Sequence, residues 1–386
     1  MTCSRILTAL LLLLALFAPA SKAQLGKNVL IPAGSEVDHE LSAINAADPA
    51  QKLQLIDEFS KSHPDGDLQI VANEQYVNYY LNAKQYDKVF ECGDKLFVLD
   101  PDNYSNALNM VRAANEMGNT EKLYTYGEKA SGIVQRYMAS PPPAGTDPDS
   151  WTRAKTDKLA SMKDNQDYIQ QSLLSAAYNV KDPAKKASDF ERFAKMYSDT
   201  PEGEQAMAMA AFSYQQAQDR TKMLEVANGA LAKYPNNIGM LLLLADEYSE
   251  KGDQLDKAEA YSKKAASLTD TAKKPGNLTD DQWKQQLSMQ KGLAFSALGQ
   301  VNLQKKLNAQ AVDNLTKAAP LLKSNAVTYA RNEYRLGFAY LNLKKNPEAK
   351  QAFTEAASVD SPYKGPAQQK LAEIGAAKPA PRKRAS

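Results

Sequence analysis

Histidine, cysteine and acidic residues supply most catalytic and metal-binding chemistry, and in this sequence their spacing suits neither role. The two histidines, His39 and His63, stand in no metal-ligand spacing, and no C-x-x-C pair occurs. Acidic pairs occur at Asp246-Glu247 and Asp280-Asp281, but a catalytic carboxylate needs a pocket that shifts its pKa. The sequence contains neither a phosphate loop nor a nucleophile elbow. We therefore predict a protein that is not an enzyme and that has no cofactor and no metal.

The composition fits a large folded chain with a balanced charge. The protein has 386 residues, of which 43% are hydrophobic and 24% charged, and its formal net charge is +2. Proteins that bind nucleic acid usually show a basic footprint, so this balance argues against a nucleic-acid partner. Two cysteines, Cys3 and Cys92, cannot form a disulfide framework if the first is removed by processing. Cys92 is then expected to be a small buried apolar residue.

The first residues have the pattern of an export signal. Arg5 precedes an apolar run from Ile6 to Ala20, which is short for a membrane span, and Ser21-Lys22-Ala23 offers a small-x-small cleavage site. We predict a signal peptide over residues 1–23, with the mature chain starting near Gln24; the alternative is a retained membrane anchor. The expected location is the periplasm or cell envelope in a Gram-negative source, and otherwise outside the cell.

Helical spacing organises the stretch from Glu333 to Pro362. Leucine, glycine and tyrosine at one face of a first helix are followed by a turn and by a second helix with the order A-x-x-x-F-x-x-A. Small residues at Gly337 and Ala349 would let the two helices approach, and Tyr340 and Phe353 would fill the space beside them. The order of residues closely resembles the tetratricopeptide repeat.

The same pattern recurs along the chain after about residue 48. The positions equivalent to Gly337 are Val77, Val111, Ser175, Ala211, Ala245 and Gly299, and several of the intervals are about 34 residues. The resemblance implies an all-α fold, an α-α superhelix (a tetratricopeptide solenoid) of about seven repeats. A degenerate half repeat is expected to precede them, because the helix start at Asp48-Pro49 recurs at Asp182-Pro183. A helix is also expected to begin between Ser35 and Asn45.

Breaks in the pattern define six expected regions. After the signal peptide we expect an irregular N-terminal segment, a first repeat block, a proline-rich linker, a second repeat block and a disordered basic tail. A long helix is expected over about Trp151–Val180, with Trp151 either packed on the preceding repeat, which we favour, or exposed to a partner. The regions are 24–47, 48–137, 138–150, 151–375 and 376–386.

In the tetratricopeptide family the first helix of each repeat lines a concave face, so the resemblance implies a groove for a protein or peptide partner. Amide and charged side chains would suit an extended peptide backbone, and Arg331 with Tyr334 would be the anchor, since both residue types are enriched in interface hot spots. The expected groove residues are Glu74, Asn78, Arg112, Asn115, Gln215, Asp246, Gln300, Arg331 and Tyr334.

These observations predict a non-catalytic interaction scaffold or adaptor in the periplasm or envelope. One alternative is an accessory factor in outer-membrane assembly or polysaccharide export. A second alternative is a sugar-binding protein or enzyme, which would have a pocket of carboxylates and aromatic rings near Trp151 or Trp283. The partner is expected to be a protein, with no transmembrane span in the mature chain, and the basic tail could contact an anionic surface weakly.

Overall fold

The structure, a computed structural model, describes residues 25–64, 66–274, 276 and 278–376. The predicted signal peptide and all but the first residue of the predicted tail lie outside the described residues. Within this part of the chain there are eighteen helices and no strand, which confirms the all-α fold. The helices divide into two compact units, one ending at Lys181 and the other beginning at Asp182.

The first unit contains eight helices, and its core begins where α1 and α2 pack on α3. Ile44, Ile56, Phe59, Val71 and Ala72 form that cluster. The bounds are α1 Glu36–Ala46, α2 Pro49–Ser62, α3 Leu68–Asn82, α4 Tyr86–Leu99, α5 Tyr104–Glu116, α6 Thr120–Ala139, α7 Pro148–Ser161 and α8 Lys163–Asn179.

The second unit contains ten helices whose apolar faces form successive clusters between neighbouring pairs. The run from Met240 to Ala245 is buried throughout, as expected for a central helix. The bounds are α9 Pro183–Met196, α10 Pro201–Gln216, α11 Arg220–Lys233, α12 Ile238–Lys251, α13 Leu255–Leu268, α14 Asp280–Gln304, α15 Asn308–Leu322, α16 Ala326–Asn342, α17 Asn346–Ser358 and α18 Lys364–Ala376.

Six helix pairs are joined by turns of three residues, and these turns have a common backbone hydrogen bond. The pairs are α3–α4, α5–α6, α10–α11, α12–α13, α14–α15 and α16–α17. In five of these turns the middle residue has a positive φ, and in α12–α13 the first residue, Gly252, has it. In each case the following residue donates its N–H to the carbonyl five positions earlier, which satisfies one of the last free carbonyls of the first helix. In α3–α4, for example, Gln85 donates to Tyr80 at 2.9 Å. The left-handed middle residues are Lys84, Gly118, Gln218, Lys306 and Lys344.

Glycines mark the closest approaches between helices. In the second unit, a Cβ on Gly299 would lie 2.4 Å from Leu315, and one on Gly337 would lie 2.6 Å from Phe353, so each first helix is pressed against its own partner. In the first unit the glycines stand on the second helix instead. There Gly93 meets Met110 of α5, and Gly127 meets Leu173 of α8.

The residues before α1 are fastened to a distant corner of the first unit. The backbone N–H of Lys27 donates to the buried carboxylate of Asp100 at 2.9 Å, and Tyr104 donates to the carbonyl of Leu25 at 3.4 Å. Gly26 between them has φ +116°, and a Cβ there would lie 2.7 Å from Asp100 Oδ2. We call residues 25–27 the N-terminal strap.

The long helix expected over about 151–180 is two helices, with a break at Met162. Both helices pack on α6, at different points along its length. Trp151 of α7 is buried against Tyr137 and donates its indole N–H to the carbonyl of Ser140, which confirms the favoured packing role. Leu173 of α8 packs nearer the start of α6, against Gly127 and Tyr124.

Within the segment 24–47, the helix expected between Ser35 and Asn45 is α1, which packs on α2 ahead of the expected half repeat. The proline-rich linker at 138–150 lies inside the first unit, whereas the division between units falls after Lys181. Cys92 is buried, as expected. None of the helices described is both long enough and apolar enough to cross a bilayer.

Candidate binding surfaces

Five polar side chains connect three helices of the first unit. Asn109 on α5 donates to Asn78 on α3 at 3.1 Å, and Asn115 on α5 donates to the hydroxyl of Tyr168 on α8 at 3.2 Å. The guanidinium carbon of Arg112 lies 6.0 Å from the centre of the Tyr168 ring. We call Asn78, Asn109, Arg112, Asn115 and Tyr168 the polar strip.

Helical spacing places the polar strip on the face that packing leaves free. On α5, Met110, Val111, Ala113 and Ala114 are buried, while Arg112 and Asn115 are exposed one turn apart. The strip therefore presents amide groups, one guanidinium and one phenol to solvent across α3, α5 and α8.

Glu74, also expected in the groove, is used inside the fold. Its carboxylate accepts a hydrogen bond of 2.8 Å from Asn103, which caps the start of α5. Burial raises the pKa of Glu74, and this effect exceeds the opposing effect of the Asn103 hydrogen bond. Glu74 thus ties α3 to the next helix pair and is not part of the polar strip.

The second unit contains a cavity of about 310 Å³ on the side formed by its first helices. Side chains from α12, α14 and α16 line it, together with one residue that precedes α18. Its polar and aromatic lining includes Glu250, Gln300, Gln304, Arg331, Tyr334 and Tyr363.

An ion-pair network forms the floor of this cavity. Asp246 accepts from Arg331 at 2.8 Å and from Arg335 at 3.2 Å, and Arg335 also pairs with Glu250. Arg335 is 5% exposed and donates to the hydroxyl of Ser296 on α14 at 2.9 Å. The network thereby connects α12, α14 and α16.

Burial disfavours ionisation of Asp246, but the guanidinium charges of Arg331 and Arg335 outweigh it and hold the pKa of this carboxyl below its usual range. Asp246 is therefore ionised near neutral pH and has no proton to donate. The two arginines and two carboxylates compensate one another in charge.

Aromatic rings form the apolar part of the cavity wall. Tyr334 lies edge-on to Phe338, with 5.0 Å between ring centres, and 5.6 Å from Tyr363. Phe353 supports Tyr334 and Phe338 from the adjoining core. The predicted anchor Arg331 and Tyr334 is thus partly committed to internal contacts.

The nine predicted groove residues fall into separate groups. Asn78, Arg112 and Asn115 come together in the polar strip, and Asp246, Gln300, Arg331 and Tyr334 come together at the cavity. Gln215 is exposed on α10 outside the cavity lining, and Glu74 is a packing residue.

Sequence reasoning missed Arg335 and Glu250, although a signal for them existed. Arg335 follows Arg331 by one helical turn, and Glu250 follows Asp246 by one turn, so matched pairs of opposite charge stood on two first helices. Tyr168 and Tyr363 gave no such signal, because they are close to the site only through the folding of other elements. Of the two tryptophans named for the alternative of a sugar-binding protein or enzyme, Trp151 and Trp283, the first is buried in packing.

No protein-family model and no curated protein matches the chain. Solved structures with a similar fold include a chain of the APC/C hetero-tetramer Cut9–Hcn1 (14% identity, covering 88% of this chain and 76% of that one, TM-score 0.42). A thermophilic TPR protein of Thermus thermophilus shows 19% identity over 53% of this chain and 98% of its own, with a TM-score of 0.32. Yeast Tom70 shows 12% identity over 88% and 94%, with a TM-score of 0.31.

These likenesses concern the fold, and nothing about function follows from them. The class of fold rests on the chain itself, on its helix pairs, their shared turns and their glycine contacts. The described part of the chain is a helical repeat array of the tetratricopeptide type.

Proposed function

We propose that this protein is a non-catalytic interaction scaffold that binds an extended segment of a protein partner across the polar strip. The observation that carries the proposal is the lateral connection of Asn78, Asn109, Arg112, Asn115 and Tyr168 across α3, α5 and α8. An extended chain that crosses these helices would meet one polar group after another.

The chemistry of the strip suits a polypeptide. Each peptide unit offers one N–H and one C=O, and amide side chains can satisfy both. Arg112 and Tyr168 add the residue types that dominate interface energetics, and their side chains already lie together, so little ordering is needed on binding. A single guanidinium leaves the strip weakly positive, which favours a partner segment with few basic residues.

A photo-crosslinking amino acid at Asn82 tests the proposal in the full chain. Asn82 is exposed on α3, one turn after Asn78, and the matched control position is Val98, which is 83% exposed on α4. We expect a defined protein adduct from Asn82 and none of the same size from Val98.

The adduct must also depend on the strip. Arg112→Ala in the Asn82 background should remove it, whereas Arg153→Ala, an exposed arginine on α7, should leave it intact. An adduct that persists without Arg112, or that forms equally from Val98, would contradict the proposal.

We further propose that the protein acts in the periplasm or envelope, or outside the cell. Support comes from Arg5, the apolar run Ile6–Ala20 and the small-x-small site at Ser21-Lys22-Ala23. Fractionation of the native cells, followed by mass spectrometry of the N-terminus, should find a chain that begins at Gln24 outside the cytoplasm. A cytoplasmic chain with residues 1–23 intact would contradict this location.

A further inference from the structure

Several polar side chains around the cavity of the second unit use one polar group in a hydrogen bond to the protein and keep another available for a ligand. Gln304 donates to the carbonyl of Ser249 at 3.3 Å, and Asn342 donates to Asn308 at 3.0 Å, so each keeps its amide oxygen unused. Arg331 uses Nη1 for Asp246, and its Nε and Nη2 have no partner among the described residues. Such groups are oriented before a ligand arrives.

Three more groups at the cavity have hydrogen-bonding capacity to spare. The amide of Gln300 and the hydroxyls of Tyr334 and Tyr363 bond to no other side chain or carbonyl in the described part of the chain. Together with the free edges of Arg331, Gln304 and Asn342, they present donors and acceptors in similar numbers. A ligand that meets all of them must itself offer both.

The balanced charge of the network restricts the ligand further. Two guanidiniums and two carboxylates compensate one another at the floor, and a ligand charge added beside them would be desolvated without a free counter-charge. A neutral ligand avoids that cost. The rings of Tyr334, Phe338 and Tyr363 require, in addition, that one side of the ligand be apolar.

We propose that this cavity binds a neutral pyranose, as a free sugar or as a unit of a glycan. Vicinal hydroxyls each donate and accept, so they match the planar amide and guanidinium edges, and the C–H face of the ring packs on the aromatic wall. A volume of about 310 Å³ lies at the small end of the range for ligand pockets and admits one or two sugar rings. An extended peptide is the alternative ligand. It would extend beyond this compact cavity and leave some of the donors and acceptors in the cavity without a hydrogen-bond partner.

Titration of the full chain with maltose, cellobiose, lactose and N,N′-diacetylchitobiose, followed by calorimetry and saturation-transfer NMR, tests the proposal. We expect at least one of these neutral disaccharides to bind. Gln300→Leu keeps the side-chain size but removes the amide, and it should weaken binding about tenfold, the effect of one lost hydrogen bond. Tyr363→Phe keeps the ring and should weaken binding similarly.

Gln215→Leu, the same change on an exposed site outside the cavity, should leave sugar affinity unchanged. Stronger binding of a longer oligosaccharide than of its disaccharide would assign the site to a glycan, and equal binding would assign it to a free sugar. The proposal is overturned if none of the four disaccharides binds the folded protein, or if Gln300→Leu and Tyr363→Phe bind as the wild type does. Arg112→Ala should not affect sugar binding, so this test and that of the polar strip succeed or fail separately.

Discussion

Arg331 shows how one side chain can serve both the fold and a binding site. One of its nitrogens neutralises Asp246, while the others remain available at the cavity. Removing the side chain would leave the half-buried carboxylate of Asp246 with Arg335 as its one remaining arginine partner among the described residues and would disturb the helices as well as any ligand. Gln300, which bonds to no other described residue, is therefore the cleaner probe of binding at this site.

Glu333 is a buried carboxyl on α16, and it provides a prediction about pH. Burial, with the charge of Glu355 as a smaller contribution, raises the pKa of Glu333 from 4.5 to about 7. The folded state therefore holds a proton that the unfolded state releases between these values. The stability that this proton provides is complete below pH 4.5 and is lost as the pH rises through 7.

Glu333→Gln should abolish this loss. At pH 8 the variant should be more stable than the wild type by on the order of 2–3 kcal/mol, whereas at pH 4.5 the two should be similar. Urea unfolding at both pH values measures the difference. Glu348→Gln, an exposed change on α17, is the control and should show no such dependence. Equal stability of Glu333→Gln and wild type at pH 8 would contradict the prediction.

At the scale of helices, sequence patterns predicted most elements because their signals are local. Capping residues and proline at the first helical position identified the starts of α2 and α9 at Asp48 and Asp182, and a capping box identified that of α14 at Thr279. Local signals could not separate α7 from α8, since the two helices are distinguished by tertiary contacts at different points along α6. The polar strip and the cavity were only partly predicted for the same reason, because Tyr168 and Tyr363 reach them through tertiary contacts.

The close contact of α16 with α17 depends on the absence of a side chain at Gly337. A Cβ would meet the buried ring of Phe353, which Tyr334 and Phe338 hold in place, so Gly337→Ala should destabilise the protein by about 1–3 kcal/mol. Gly229 on α11 has no atom within 4 Å of an added Cβ, and Gly229→Ala should be neutral or stabilise by about 0.5–1 kcal/mol. Denaturant unfolding of both variants measures these differences in stability. An unchanged free energy of unfolding for Gly337→Ala would contradict the prediction and show that the contact with Phe353 relaxes.

The N-terminal strap should be released by a side chain at Gly26. Its positive φ and the approach of Asp100 leave no room for a Cβ, so Gly26→Ala should detach the backbone from the α4–α5 corner. Trypsin should then cut after Lys27 several-fold faster, as followed by mass spectrometry. The control is Gly34→Ala. Gly34 also has a positive φ, but no atom lies within 4 Å of an added Cβ, so trypsin should cut this variant after Lys27 at the wild-type rate.

At the scale of the whole molecule, each unit has its own apolar clusters and its own candidate site. The polar strip lies in the first unit and the cavity in the second. A protein partner and a sugar would therefore occupy different parts of the chain.

Each unit is expected to fold without the other. Fragments 25–181 and 182–376 should both show helical circular dichroism and a cooperative thermal transition, because the described core contacts of each are internal. A fragment 25–139 is the control, since it lacks Leu173, which packs on Gly127 and accepts from Tyr124. It should melt at a lower temperature than 25–181. Loss of the cooperative transition in 25–181 itself would contradict the assignment of this unit.

The placement of glycine limits which helices of this array could replace one another. In the first unit Gly93 and Gly127 follow Val77 and Val111 by sixteen residues, whereas in the second unit Gly299 and Gly337 precede Leu315 and Phe353 by the same interval. In these pairs the glycine lies on the second helix in the first unit and on the first helix in the second unit. A single helix exchanged between these pairs would therefore place a bulky side chain where the neighbouring helix needs a glycine, or a glycine where a side chain fills the space.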